Sequence, residues 1–243
     1  MNTVIAQDPI STEEARAKID RIQEQINTVT EELAISTDSV RFVGASKAQP
    51  LATLRAFAEA GINACGENYL QEANSKFDEL ERFNIEWHFI GHIQGNKAKQ
   101  VAARFAWVQT LDSIRLAKRL SDARIVSHPD EPLNCCIQVN VDNEPQKAGV
   151  SAETYDELVA TAGELPGIRL RGVMAIPQPY PELDQRIASF KRVKALFDNT
   201  SPPQPQYWDT VSMGMSDDFL TAIRCGANLV RLGTILFGPR PPK

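Results

Sequence analysis

The sequence predicts a (β/α)8 barrel, and three observations support this fold class. Eight short β-rich segments alternate with helix-like segments over 243 residues, which is the alternation and the length typical of such barrels. An additional helix precedes the alternation. Polar residues follow several of the predicted strands, where barrels of this type carry their sites. A doubly wound open sheet is the alternative fold. We expect residues 1–243 to form a single domain, with residues 11–35 as an N-terminal amphipathic helix.

The N-terminal helix is predicted to begin at Ser11. Glu14, three residues later, completes a capping box. Apolar residues then recur every three or four positions, which is typical of one face of an amphipathic helix. They are Ala15, Ile19, Ile22, Ile26, Val29 and Leu33. We expect this stripe to pack on its own domain, and a coiled-coil partner is the alternative.

The predicted strands are short segments rich in β-branched and aromatic residues. They span residues 40–46, 62–65, 85–90, 107–111, 135–141, 170–176, 210–213 and 229–232. The predicted helices between them span about 50–61, 69–82, 97–104, 113–123, 152–165, 183–197 and 216–225. Pro50 suits the first turn of its helix and Gly61 suits the end. In the last of these helices we expect Ser216 to be the N-cap and Gly226 to end the helix.

The composition is that of an ordinary globular protein, with 42% hydrophobic residues, 23% charged residues and a formal net charge of -5. That charge argues against a nucleic-acid-binding protein, which usually presents a basic face. The amino terminus, MNTVIAQDPISTEE, lacks the basic and apolar regions of a secretory signal, and no apolar run is long enough to cross a bilayer. The four cysteines show no C-x-x-C spacing and are interpreted as reduced thiols. We therefore expect a cytoplasmic protein with no nucleic-acid or membrane partner.

Lys47 is the candidate reactive residue. It stands just past the first predicted strand, in VRFVGASKAQP, at a position where a rigid scaffold can hold a functional side chain. Such a lysine is often only a solvated charge. A functional role for Lys47 is favoured by two segments near the other end of the chain, VSMGMSDD and VRLGT. Each of these segments suits the binding of a phosphate. An amine opposite a phosphate site suggests a bound cofactor.

In the first of these segments, a flexible Gly214 precedes Ser216 at the expected start of a helix. Unpaired N–H groups, the helix dipole and a hydroxyl group together suit a phosphate, although capping of its own helix is the better interpretation of Ser216 from this segment alone. In the second, Arg231 and Gly233 share one face of a strand. If that face is the barrel interior, Gly233 lets the backbone of Thr234 approach a ligand, and Arg231 needs a partner.

The histidines are less informative. His88 and His92 are spaced i, i+4 in HFIGH, and the third histidine, His128, is distant in sequence. No acidic cluster accompanies them, and catalytic zinc requires three protein ligands. We therefore expect no metal site, and we interpret His92 as a polar anchor of its loop.

Seven motifs in order resemble the pyridoxal phosphate homeostasis protein family, from about Val40 to Arg240. They are VGASKAQP, GENYLQEA, WHFIGHIQGNK, QVNVDNEPQKAGV, RGVMAIP, SMGMSDD and VRLGTILFG. The resemblance implies a fold-type III barrel that binds pyridoxal 5′-phosphate (PLP), similar to the amino-terminal barrel of alanine racemase without the C-terminal β domain. The chain has Ala48-Gln49 where many members have Thr-Lys, which affects the surroundings of Lys47.

The resemblance also implies the roles of individual residues. Lys47 is implied to form a Schiff base with the cofactor aldehyde, Arg231 to face the pyridine nitrogen, and Ser216 to bind the phosphate. The full set of implied cofactor-binding residues is Lys47, Asn68, His92, Ser212, Gly214, Ser216, Arg231, Gly233 and Thr234. No catalytic residue is assigned.

The implied function is to hold PLP and to help balance its intracellular level and that of amino and keto acids, without classical turnover. An arginine beside the pyridine nitrogen makes the ring a weak electron sink, and we expect no second domain that would supply an opposing acid or base. A PLP-dependent racemase or decarboxylase is the alternative, and a cofactor-free Schiff-base aldolase is a further one. We expect a monomer, and transient contact with PLP-dependent apoenzymes is a further implication.

Overall fold

The computed structural model describes residues 10–142, 144 and 148–239, and within them eight parallel strands form a closed barrel. The strands are β1 (Arg41–Ala45), β2 (Ala64–Glu67), β3 (Glu86–Phe89), β4 (Trp107–Leu111), β5 (Leu133–Val139), β6 (Ile168–Ala175), β7 (Thr210–Ser212) and β8 (Leu229–Leu232). Each strand pairs with the next one along the chain, and β8 pairs with β1 to close the barrel. The predicted (β/α)8 fold is therefore confirmed, and the open sheet is excluded.

A helix follows each strand, as parallel pairing requires a crossover connection. The helices of the described residues are α1 (Thr12–Glu32), α2 (Leu51–Glu59), α3 (Leu70–Leu80), α4 (Ala98–Arg104), α5 (Ile114–Ser127), α6 (Ala152–Glu164), α7 (Leu183–Asp198), α8 (Phe219–Arg224) and α9 (Thr234–Phe237). All loops that follow strands consequently lie at one end of the barrel, which we call the carboxyl end. The opposite end is called the amino end.

The N-terminal helix α1 packs on the barrel, where it contacts α2, α8 and α9. The predicted capping box is present: the Glu14 backbone N–H donates to the Ser11 hydroxyl, and the Ser11 backbone N–H donates to the Glu14 carboxylate. Ala15, Ile22, Ile26 and Val29 of the apolar stripe are buried and Ile19 is partly buried, as expected for packing on its own domain. Leu33 was expected to belong to the same buried stripe, but it lies at the C-cap of α1 and is 39% exposed.

The apolar core lies between the strands and the surrounding helices, and the space inside the barrel is partly polar. Phe57, Leu120 and Phe190 are fully buried representatives of the outer core. Inside the barrel, by contrast, the side chains of His88 and Ser212 are also fully buried. Buried polar groups require hydrogen-bond partners, so the partners of these interior groups are important to the site.

The prediction that Ser216 caps a helix running to Cys225 is wrong. The helix α8 begins only at Phe219, with Asp218 at the N-cap position. The Asp218 carboxylate accepts a hydrogen bond of 2.7 Å from the Met215 backbone N–H, which closes a turn before the helix. Ser216 lies inside that turn, and its hydroxyl group is used elsewhere.

Cys65, Cys135 and Cys136 are buried, and all four cysteines are free thiols. Burial raises the pKa of the Cys65 thiol to about 12, which makes it a poor nucleophile at neutral pH. In the part of the chain that the structure describes, no helix combines the length and the apolar character needed to span a membrane. The expectations for residues 1–9 and for part of the segment DNEPQK lie outside the described residues.

Candidate functional site

Lys47 lies in the turn immediately after β1, at the carboxyl end of the barrel, and it is half-buried. The next residue, Ala48, has a φ of +59°, in the left-handed region that residues with a Cβ rarely adopt. The Glu72 carboxylate on α3 accepts a hydrogen bond from the Ala48 backbone N–H. The turn that presents Lys47 is therefore held in an unfavourable conformation by a contact from a neighbouring helix.

A buried charged cluster lies beneath this turn. The Lys76 ammonium group donates to the Glu67 carboxylate at 2.7 Å, to Glu72 at 2.8 Å and to the Ser46 carbonyl at 3.0 Å. The Ser46 hydroxyl also donates to Glu67, at 2.5 Å. Burial raises the pKa of Glu67, and the Lys76 charge opposes this rise. The cluster thus connects β2 and α3 to the residue that directly precedes Lys47.

Arg231 lies inside the barrel, which the sequence left open as a condition for its role. It is 5% exposed, and its Nη1 donates to the Ser212 hydroxyl at 2.6 Å while its Nη2 donates to the Ala175 carbonyl at 2.9 Å. Its backbone N–H donates to the Gly214 carbonyl. Burial lowers the pKa of Arg231 to about 10, opposed by the Asp218 charge. At neutral pH the guanidinium group therefore remains a cation at the centre of the barrel.

The loops after β7 and β8 meet at Ser216. Its hydroxyl oxygen accepts hydrogen bonds of 3.2 Å from the backbone N–H groups of both Gly233 and Ile235, at the start of α9. A Cβ added to Gly233 would have no protein atom closer than the Ala45 carbonyl oxygen, at 3.7 Å. Packing within the chain therefore does not require glycine there, and the position leaves space beside these N–H donors. Thr234 is exposed in the first turn of α9.

These groups lie beside the strand that ends at Lys47. Strand β1 pairs with β8 in register from Arg41 and Leu229 to Gly44 and Leu232. Lys47 and the Gly233 segment therefore follow the ends of two adjacent strands. The structure thus groups an amine, a set of hydroxyl and N–H donors and a buried guanidinium group at one end of the barrel.

Asn68 and His92 are also at the carboxyl end, but their surroundings differ. The Asn68 side-chain oxygen is buried and has no hydrogen-bond partner among the described residues. The backbone at Gly91 packs directly on Asn68, since a Cβ at Gly91 would lie 2.2 Å from the Asn68 carbonyl oxygen. The His92 side chain is 67% exposed and faces Asp112, with 3.6 Å between Nδ1 and Oδ2. It has no hydrogen bond to Arg231, Ser212 or Ser216.

Glu67, Lys76 and Gln109 also contribute to the site, and none of the three was predicted from the sequence. Gln109 is fully buried and accepts a hydrogen bond of 2.6 Å from Ser212. Polar residues at inward positions of strands were the available signal, but local sequence does not show which buried groups are paired across the barrel. His88 also points inward while His92 lies in a loop, and the described residues contain no group of three potential metal ligands.

Comparison with known proteins identifies the family. The family described as "Alanine racemase, N-terminal domain" matches residues 11–241. The pyridoxal phosphate homeostasis protein of Haemophilus influenzae is 39% identical over 222 residues, which cover 90% of this chain and 93% of that protein. The chain belongs to the pyridoxal phosphate homeostasis protein family. Its resemblance to that family, expected from seven motifs, is confirmed.

Further members of the family agree. The protein of this name from Pseudomonas aeruginosa is 44% identical over 202 residues, covering 83% of this chain and 85% of that protein. Among solved structures, PipY of Synechococcus elongatus with PLP bound has a TM-score of 0.75 and 30% identity, covering 89% of this chain and 100% of that chain. The family barrel thus extends over nearly all of this chain.

Proposed function

We propose that this protein binds PLP at the carboxyl end of the barrel, with Lys47 as the covalent anchor, and helps to balance the cellular level of the cofactor. The observation that carries the proposal is the contact of Ser216 with the N–H groups of Gly233 and Ile235, beside the strand that leads to Lys47. A phosphate group is bound by such clusters of N–H and hydroxyl donors. The names of the relatives and the PLP-bound PipY structure support the same ligand.

The residues present fit this cofactor. Ser216, Gly233 and Thr234 would hold the phosphate, and the open space at Gly233 admits it. The unpartnered Asn68 oxygen is a buried acceptor at the same end. We assign Ser212, Gly214, Asn68 and His92 to the lining of the site, His92 least directly because it faces Asp112. When bound, PLP supplies an aldehyde for a lysine amine and a ring that can accept electrons.

Arg231 supports a carrier rather than an enzyme. A buried guanidinium group is a donor only and keeps its charge, and burial still leaves the pKa of Arg231 at about 10. Facing the ring nitrogen, it would disfavour a proton there and weaken the ring as an electron sink. We propose that the protein has no classical turnover. An amino-acid racemase or decarboxylase on the same barrel is the second candidate, because the matching family is that of the alanine racemase barrel.

We further propose that residues 1–243 act as one domain, as a cytoplasmic monomer that makes transient contact with PLP-dependent apoenzymes. The packing of the α1 stripe against its own barrel supports the monomer, since a coiled-coil partner was the alternative for this stripe.

The test is the visible absorption of the purified protein after incubation with PLP, with Lys47→Ala and Lys118→Ala measured in parallel. Lys118 is exposed on α5 and serves as the matched control. We expect a protein-bound absorption band in the wild type and in Lys118→Ala, and its loss in Lys47→Ala. Borohydride reduction followed by peptide mass mapping should place the modification on Lys47. Absence of the band in the wild type would contradict PLP binding and would favour the alternative function of a cofactor-free Schiff-base aldolase.

Turnover is tested separately on the loaded protein. Each proteinogenic amino acid is incubated in D2O, and exchange of the α-proton and loss of CO2 are followed by NMR. We expect neither reaction above the rate given by Lys47→Ala. Exchange or decarboxylation that depends on Lys47 would establish the enzymatic alternative.

A further inference from the structure

A continuous series of side-chain hydrogen bonds crosses the barrel interior from Arg231 to Glu86. Arg231 Nη1 lies 2.6 Å from Ser212 Oγ, which lies 2.6 Å from Gln109 Oε1. Gln109 Nε2 lies 2.9 Å from His88 Nδ1, and His88 Nε2 lies 2.9 Å from Glu86 Oε1. We call these five residues the interior chain. It joins four strands and runs from the cofactor side of the barrel to its amino end.

The direction of each hydrogen bond follows from Arg231. A guanidinium group can only donate, so Ser212 accepts from it and uses its single hydrogen toward Gln109. The atom of Gln109 that faces Ser212 must then be the carbonyl oxygen, and its amide nitrogen donates to His88 Nδ1. His88 is therefore neutral, with its proton on Nε2, which donates to the Glu86 carboxylate. Every donor points from Arg231 toward Glu86.

The opposite orientation of Gln109 leaves groups unsatisfied. If its amide nitrogen faced Ser212, the buried Ser212 hydrogen would lose its acceptor. The Gln109 oxygen would then require a proton on His88 Nδ1, and a neutral His88 would present a bare Nε2 to the Glu86 carboxylate. An unsatisfied buried polar group is strongly destabilising because its lost hydration is not replaced. With a neutral His88, all hydrogen-bonding groups of the interior chain are therefore satisfied in only one of the two directions.

The surroundings of His88 support the neutral ring. His88 is fully buried and stacks on Trp107, with 5.2 Å between the ring centroids. Burial lowers the pKa of His88, and the hydrogen bond to Glu86 opposes this. The charged groups that face this part of the chain are Glu86 on the same strand and Arg41 on β1, 3.6 Å from Glu86. Glu86, His88 and Arg41 line a cavity of about 700 Å³ at the amino end.

We propose that Gln109 and His88 are positioning residues that fix Arg231 through this one-way interior chain. Because Gln109 holds the Ser212 hydrogen, the Ser212 oxygen always presents a lone pair to Arg231 Nη1. The Ala175 carbonyl fixes Nη2, so the guanidinium plane has one orientation. The chain also connects Arg231 to Glu86, which is 36% exposed at the far end of the barrel. The consequence for the cofactor ring rests on the proposed function, whereas the direction of the chain does not.

The direction is tested by side-chain 15N NMR of the full protein prepared without cofactor. The protein has three histidines, so the variants His92→Asn and His128→Asn identify the signals of those two residues, and the third set belongs to His88. We expect His88 at neutral pH to be the neutral tautomer, protonated on Nε2 and bare on Nδ1. An Nδ1-protonated tautomer or an imidazolium ion in the wild type would overturn the proposal.

Coupling along the chain is tested with Ser212→Ala and the matched control Ser189→Ala. Both serines are fully buried and donate one hydrogen bond to a side chain, Ser189 to Asp142 at 2.7 Å. In Ser212→Ala, Arg231 Nη1 loses its acceptor and the Gln109 oxygen loses its donor, while Glu86 still accepts from His88 Nε2. We therefore expect the Arg231 side-chain 15N signals to change in Ser212→Ala but not in Ser189→Ala, with the His88 proton still on Nε2. Unchanged Arg231 signals in folded Ser212→Ala contradict the coupling.

Gln109→Glu provides a second variant if Ser212→Ala does not fold. Its carboxylate can accept from Ser212 but cannot donate to His88, so His88 should acquire a proton on Nδ1. Retention of the wild-type tautomer in this variant contradicts the coupling as well. PLP uptake by the same wild-type preparation is measured separately. If His88 shows the expected tautomer but the protein does not take up PLP, the proposed function is rejected and the proposed interior chain stands. If the protein takes up PLP but His88 shows another tautomer, only the interior chain is rejected.

Discussion

The Ser216 hydroxyl oxygen lies 3.2 Å from the backbone nitrogen of Gly233, so the loop after β7 is tied directly to the loop after β8. Two sequence segments that each suited a phosphate are thus parts of one cluster of donors. The hydroxyl group now satisfies N–H groups at the start of α9 that would otherwise have no partner within the helix. An anionic ligand can use the same donors.

Ser216→Ala is expected to weaken PLP binding roughly tenfold, because one hydrogen bond to a charged group contributes about 1.5 kcal/mol or more. Binding is measured by titration of the absorption band. Ser127→Ala, which alters an exposed hydroxyl on α5, is expected to bind as the wild type does. Pyridoxal, which lacks the phosphate, should bind Ser216→Ala and the wild type equally. An equal loss of affinity for pyridoxal would show that Ser216 does not act on the phosphate.

The hydrogen-bond partners of Ser216 could not be predicted from the sequence around it. Its local context, a serine before two aspartates and an apolar run, is typical of an N-cap. The structure instead gives the turn to Asp218 and the hydroxyl group to Gly233 and Ile235. Those partners are distant in sequence, and no periodicity reports them. The sequence placed Arg231 correctly on the last strand, but it left open whether the side chain points into the barrel, because that depends on how the sheet closes.

Lys76→Met is expected to destabilise the protein by about 3–5 kcal/mol, because it leaves the buried Glu67 carboxylate without its cation. The Lys76 and Glu67 side chains are 4% and 0% exposed. The free energy of unfolding is measured by urea denaturation. Arg55→Met is the control, since it breaks the Arg55–Glu79 pair, whose side chains are 46% and 54% exposed. An exposed pair contributes at most about 1 kcal/mol.

The two losses distinguish the buried cluster from an ordinary surface pair. If Lys76→Met costs no more than Arg55→Met, the cluster does not hold the turn before Lys47. Adding Glu67→Gln to Lys76→Met should recover part of the loss, because the double variant no longer contains an unpaired buried charge. Failure to recover would indicate that lost packing, rather than charge, explains the effect.

Glu67 also predicts a pH dependence of stability. Burial raises its pKa above the ordinary value of 4.5, so the folded state binds this proton more tightly than the unfolded chain. The resulting stabilisation is fully present below pH 4.5 and is lost as the pH rises through the folded-state pKa. The glutamine in Glu67→Gln stays neutral at every pH, so this variant lacks the pH-dependent stabilisation. Urea denaturation over this pH range should therefore show a downward slope for the wild type relative to Glu67→Gln, and parallel curves contradict it.

Glu67 also explains why the limits of β2 were misplaced. The sequence predicted a strand over 62–65, whereas β2 runs from Ala64 to Glu67. Glycine and glutamate have low β-propensity, yet Gly66 and Glu67 pair with His88 and Phe89 of β3. The partner that stabilises Glu67 there is Lys76, on the following helix. Alternating apolar segments were sufficient to predict the barrel, but strand ends depended on such tertiary contacts.

Ala48→Gly is expected to raise the free energy of unfolding by about 0.5–1 kcal/mol. Ala48 has a φ of +59°, and the left-handed conformation costs a residue with a Cβ about 1–2 kcal/mol. Glycine removes that cost, although its greater freedom in the unfolded chain offsets part of the gain. The hydrogen bond from this backbone N–H to Glu72 is retained, because it does not involve the side chain.

Two further glycine variants bracket this result in urea denaturation. Ala34→Gly, at a φ of +54° beyond the end of α1, should be stabilised by a similar amount. Ala52→Gly, at an exposed position inside α2, should be destabilised by about 1 kcal/mol, as glycine is within helices. If Ala48→Gly behaves as Ala52→Gly does, the turn carries no relievable strain. If it behaves as Ala34→Gly does, the contacts from α3 hold Lys47 in place against a local preference for another conformation.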